Sequence, residues 1–199
     1  LGSGIRFHYH KILNLQSGKK LAENLSNYLS YKLNVLVYNF VDMLSHARTE
    51  MEVIKELADD EAAYRSLTLS WFEHSPLWDI IRLLAEKKIS ILLTTDHGSI
   101  RVSGPTKVIG DKNTNTNLRY KTGRNLQYDA SEVLEIKNPA SAFLPRESVS
   151  SAFLFALENN FFAYPNNFNH YVNYYRNTFQ HGGVSMEEVL IPFAYLRAR

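Results

Sequence analysis

The 199-residue chain predicts an α/β fold, and three observations carry the prediction. Helical periodicities alternate with short continuous apolar runs, the composition is rich enough to fill a core, and acid–imidazole pairs sit just after two of those runs. The alternation argues for a mostly parallel central sheet flanked by helices. At 45% hydrophobic and 21% charged, the chain suits one globular domain. Its 22 basic residues nearly balance 20 acidic ones, so net charge points to neither a nucleic acid nor a membrane as partner.

Ile5 to Leu13 alternates as a strand would, with Phe7, Tyr9 and Lys11 opposite His8 and His10. Leu21, Leu25, Tyr28, Leu29 and Leu33 then recur at helical spacing, which predicts a helix from about Lys19 to Leu33 behind a Ser17 cap. Val35 to Phe40 reads as the next strand. Glu50 to Ala63 reads as an acidic helix and Trp71 to Lys88 as another, with Leu77, Ile80, Ile81 and Leu84 on one face. Ile89 to Thr95 is a strand that closes a βαβ pattern.

Composition changes after Ile109. Gly110 to Tyr128 is rich in Asn, Thr, Lys and Arg with almost no apolar residue, which predicts an exposed loop or a mobile hairpin. Val133 to Ile136 is a short strand and Pro139 to Pro145 a turn region. Ser151 to Leu157 is small and apolar but of open type, and the Asn- and aromatic-rich Phe161 to Phe179 gives no pattern. Val189 to Leu196 reads as a strand, with Pro192 placing it at an edge or bulge.

No cysteine is present, so disulfides and thiolate metal ligands are excluded and a cytoplasmic location is expected. No apolar run approaches the roughly 20 residues a membrane helix needs, and no leader opens the chain, so no membrane insertion is expected. The opening Leu1-Gly2-Ser3-Gly4 lacks an initiator Met and enters structure almost at once, as a fragment would.

Three segments carry candidate chemistry. Asp42 and His46 follow the strand Val35 to Phe40, and a helical turn there would put both on one face, although Asp42 suits a helix cap equally well. Asp96, His97 and Gly98 follow Ile89 to Thr95, where a sharp turn permitted by Gly98 would let both side chains serve one site. His181 precedes two glycines that let the backbone approach a ligand, and Ser185 with Glu188 reads as a capping box. Oxygen and imidazole donors suit zinc or manganese, and two such ions about 4 Å apart would suit phosphoryl transfer. His8, His10, His74 and His170 have no such context.

Asp-x-x-x-His, then Asp-His-Gly after a strand, then His-Gly-Gly before Ser-x-Glu-Glu is an order that resembles the alkaline phosphatase superfamily. Tyr38 to His46, Thr94 to Gly98 and Gln180 to Pro192 are similar to the PglZ domain, and most of all to that of PorX-type response regulators of the type IX secretion system. The resemblance spans about Leu13 to Pro192. It implies an alkaline-phosphatase-like fold, here the C-terminal part of the domain, with a receiver domain and a helical linker upstream.

The resemblance also implies a ligand set. One zinc would be held by Asp42, His46 and His181, and a second by Asp96 and His97 together with an earlier Asp and a Thr or Ser nucleophile expected upstream of Leu1. Mn2+ is the alternative metal. Thr94 and Thr95 do not occupy the nucleophile position, so little catalysis is expected from these 199 residues alone. The implied function is phosphodiester hydrolysis, with cyclic or linear oligonucleotides as substrates. The implied partners are a sensor kinase, a sigma factor or secretion-system components, with homodimerisation on activation. A non-catalytic, metal-stabilised interaction module is the alternative. Lys107, Lys112, Arg119, Lys121 and Arg124 make the Gly110 region basic, and Arg119, Lys121 and Arg124 with Tyr120 and Tyr128 are the candidate substrate contacts, against a plain solvated loop.

Overall fold

Contacts gather the chain into two units in the computed structural model, which describes residues 4–111, 114–145 and 152–198. Lys112 and Ser151 lie outside the described residues. The first unit is Leu1–Leu93 with Phe193–Arg199, and the second is Thr94–Pro192.

In the first unit, strand β1 (Phe7–Ile12) pairs in parallel with β2 (Leu33–Tyr38), Phe7 lying opposite Leu33 and Ile12 opposite Tyr38. Helix α1 (Leu15–Glu23) connects them and packs Leu21 with Leu25, Ile12 and Ile80 in a buried cluster. This helix starts and ends earlier than its apolar spacing predicts. Asn14, not Ser17, is the cap: its Oδ1 accepts from Ser17 N at 2.9 Å, while Ser17 completes the capping box. The end comes at Asn24, whose Nδ2 folds back on Lys20 O at 2.8 Å, after which Leu25–Tyr28 forms a tighter turn and Leu33 joins β2.

Helix α2 (Phe40–Glu50) springs directly from β2, followed by α3 (Glu52–Leu57), α4 (Glu61–Glu73) and α5 (Pro76–Glu86). The helix predicted over Glu50 to Ala63 is therefore broken. Asp60 caps α4 by accepting from Ala63 N at 2.7 Å, and the buried Arg48 guanidinium holds the carbonyls of Ala58 and Asp59 at the break. The helix predicted over Trp71 to Lys88 is likewise split, because Ser75 caps a new helix whose first residue is Pro76. Trp71 stays in α4, stacked on Phe40 with ring centroids 3.6 Å apart. Strand β3 (Ile91–Thr94) pairs with the C-terminal strand Phe193–Leu196. That last strand begins later than expected, and Pro192 stands just outside it, where no ladder N–H is required.

The second unit is built from β4 (Ile100–Arg101), β5 (Gly104–Lys107), β6 (Tyr120–Gly123), β7 (Val133–Ile136), β8 (Ala152–Ala156), β9 (Asn160–Ala163), α6 (Phe168–Tyr175), β10 (Phe179–Gln180) and α7 (Met186–Val189). β8 lies between β6 and β7 in an antiparallel sheet, β5 pairs in parallel with β9, and β4 is antiparallel to β10. Two buried clusters fill it: Val102, Leu118, Phe161, Ala163 and Val172 in one, Val108, Val133, Leu154, Ala156 and Phe162 in the other. The segment predicted as an exposed loop from Gly110 to Tyr128 contains β6 and buries Leu118, Arg119, Lys121 and Thr122. Its polar residues satisfy backbone groups: Asn117 Oδ1 accepts from Arg119 N (2.7 Å) and Tyr120 N (3.1 Å), and Asn115 Oδ1 from Thr122 N (3.1 Å).

The α/β class holds, but in place of one mostly parallel central sheet the described strands form several small sheets, parallel at β1–β2 and β5–β9 and antiparallel at β4–β10, β6–β8 and β7–β8. Among the described residues, no helix is long and apolar enough to cross a membrane.

Candidate metal centre

Helix α2 presents the first motif. Its buried face is Leu44, Ser45 and Arg48, anchored by the 2.7 Å contact between Ser45 Oγ and Tyr64 Oη. Asp42 and His46, one turn apart, fall on another side of the helix. His46 Nε2 stands 3.6 Å from Asp42 Oδ1, and Asn39 Nδ2 reaches Asp42 Oδ2 at 3.4 Å. Asp42 thus lies in the first turn, where the helix dipole favours a carboxylate. Its cap reading fails because Asn39, not Asp42, is the cap residue.

The second motif leaves β3 as a tight loop in the second unit. His97 N donates to Asp96 Oδ1 at 3.1 Å, and Thr95 Oγ1 donates to His97 O at 3.0 Å. His97 Nδ1 lies 2.9 Å from Gly98 O, an acceptor, so Nδ1 carries a hydrogen, while Nε2 stands 3.7 Å from Asp96 Oδ1. His181 stacks on this ring, centroids 4.0 Å apart and planes 14° from parallel. The structure thus brings His97 and His181 together. Thr94 Oγ1 donates to Pro192 O at 2.8 Å, so the hydroxyls of Thr94 and Thr95 are both committed to carbonyls.

A buried ion pair fixes both loops. Glu188 Oε1 and Oε2 accept from Arg119 Nε (3.0 Å) and Nη2 (2.9 Å), and the same carboxylate accepts from Gly183 N (2.9 Å) and Ser185 N (3.2 Å). Arg119, at 0% exposure, gives two further donors to the carbonyls of Asn160 and Glu158. Burial alone would raise the Glu188 carboxyl, but the bonds from Arg119, Gly183 and Ser185 outweigh it and hold it below its usual value. Gly98 N donates to Glu188 O at 2.8 Å, tying the Asp-His-Gly loop to α7. Any side chain at Gly98 would collide with the Glu187 carbonyl, and one at Gly183 would meet the ion pair itself. Gly98 is therefore there for close approach, without the positive φ that a glycine turn would use.

Of the basic residues predicted as substrate contacts, Arg119 and Lys121 are buried and Arg124 is exposed. Arg119 is corrected from a loop cation to the partner of Glu188, because its planar fork is engaged by a carboxylate and two carbonyls. Sequence reading missed this role. The signal available was Glu188, the capping-box acid, although nothing in the order of residues names its partner 69 positions away.

Asp42 and His46 in the first unit, and His97 and His181 in the second, each offer carboxylate or imidazole donor atoms of the kind that hold a metal ion. An α/β fold with oxygen and imidazole donors after its strands is the arrangement of a metal-site protein. Residues 1–196 match the family described as the BREX system PglZ alkaline phosphatase-like domain, and the chain belongs to that family. No curated protein matches it. Its class is metal-dependent and hydrolytic, which gives the chain a phosphoesterase type of function.

Proposed function

We propose that this chain is a zinc-dependent phosphodiesterase domain. Asp42, His46 and His181 would share one ion, and Asp96 with His97 would contribute to a second. The observation that carries the reading is the His97–His181 stack, with His97 Nδ1 held by Gly98 O and Nε2, 3.7 Å from Asp96 Oδ1, on the side of the carboxylate. Bound ions of this kind polarise a phosphoryl oxygen and lower the pKa of an attacking oxygen. The residues of this chain orient the donors: Gly98 O holds His97 Nδ1, Asn39 steadies Asp42, and Glu188 fixes the chain on either side of Val184. Neither Thr94 nor Thr95 is assigned as nucleophile, since both hydroxyls donate to carbonyls.

The finer reading rests on the resemblance of the three motifs alone. In it the domain is the effector of a PorX-type response regulator of type IX secretion, acting on oligonucleotides, with a receiver domain, sensor kinase and sigma factor as partners and dimerisation on activation. Manganese is the alternative ion.

The test is metal content by mass spectrometry, with hydrolysis of bis-nitrophenyl phosphate by the full-length protein. Asp42→Asn and His181→Ala should each weaken zinc binding and turnover by about 100-fold or more, with little change in folding. Zinc bound equally by both variants and the unmodified chain would refute the ligand assignment. Firm zinc binding with no turnover in the full-length protein would identify the metal-stabilised interaction module instead.

A further inference from the structure

The second unit holds a cavity of about 320 Å³ that shares no residue with the metal motifs. Its wall includes Val108, Ile109 and Tyr164, and Lys121 and Thr114 line it with them. Lys121 is 3% exposed, and lysine is almost never buried this far without a carboxylate partner. Its ammonium has three donors. Nζ donates to Asn115 O at 2.9 Å and sits 4.7 Å from the centroid of the Tyr164 ring, but among the described residues no carboxylate pairs with it. Asp111, the other charged residue of the lining, is exposed. A second polar group in the wall is also unmatched: Thr114 Oγ1 is buried with no hydrogen-bond partner.

We propose that this cavity is an oxyanion-binding pocket for a small molecule, with Lys121 as the charged donor and Thr114 Oγ1 as the neutral one. The phosphate or carboxylate would complete the shell of the ammonium, and Val108, Ile109 and the Tyr164 ring would cover an apolar or planar body. The volume lies at the lower end of small-molecule sites, which run from about 300 Å³ upward. Burial lowers the Lys121 ammonium to about 8, so most of it stays charged near neutral pH. The pocket does not depend on the phosphodiesterase reading.

The test is NMR titration of the full chain, zinc present, with phenyl phosphate and separately with benzoate, read at the Lys121 side chain and at Thr114. The expected result is a saturable shift at both residues for at least one probe, unchanged in His181→Ala. Affinity should fall at least about tenfold in Lys121→Met and several-fold in the isosteric Thr114→Val, the latter serving as the readout if Lys121→Met fails to fold. Phenyl phosphate alone would assign a phosphate-bearing ligand, benzoate alone a carboxylate, and both a general oxyanion site. No shift with either probe, or shifts of equal strength in Lys121→Met and Thr114→Val, would overturn the proposal. Shifts lost in His181→Ala would reassign the effect to the metal motifs.

Discussion

Arg119 and Lys121 stand two residues apart, both are buried, and their surroundings are opposite. Arg119 meets a carboxylate and two carbonyls that take four of its five N–H donors, whereas Lys121 meets one carbonyl and an aromatic face beside an open cavity. A cation held by an anion and carbonyls is a structural fixture. A cation left without an anion marks a place where one can bind. Burial by itself therefore says little about a charge until its partners are counted.

The largest effect should come from breaking the matched pair. Glu188→Ala leaves Arg119 buried and uncompensated and should destabilise the chain by roughly 3–5 kcal/mol in urea unfolding, with loss of zinc affinity as the His181 loop loosens. Because the folded state holds the Glu188 carboxyl below its usual value, its contribution is present above that value and is lost as pH falls through the depressed one. Glu188→Ala should therefore lose this limb of the acid transition. An unchanged acid limb would show that the ion pair is not what fastens the loops.

The unmatched cation should behave in the opposite sense. Lys121 binds fewer protons folded than unfolded between about 8 and its ordinary 10.5, so stability should rise with pH across that window, by roughly 3 kcal/mol. Lys121→Met should flatten that rise. The smallest effect is the stability of this variant at neutral pH: replacing an unpaired buried ammonium by an apolar side chain of similar length should be neutral or stabilising by about 1 kcal/mol in thermal melts. A loss as large as that of Glu188→Ala would erase the distinction between the two cations.

Much of the fold was legible because it is local. The β1–α1–β2 unit, the α5 face carrying Ile80, and β7 at Val133–Ile136 follow from periodicity alone. Helix boundaries were missed where a side chain intervened. Asn24 turns back on the backbone, Arg48 pins a break, and Ser75 restarts a helix, none of which changes the hydrophobic spacing. The Gly110 to Tyr128 segment was misread because its Asn side chains look like solvent-exposed polarity when they are in fact backbone acceptors.

By itself the sequence determined the α/β class and the Asp42–His46 pairing, because a strand end and a helical turn are set by neighbours a few residues apart. Only the tertiary structure decided that His97 stacks on His181, that Gly98 is required by the Glu187 carbonyl, and that Arg119 is locked while Lys121 is not. Those outcomes depend on which groups meet across tens of residues in a medium where an unmatched charge is costly, and residue order does not reveal those meetings.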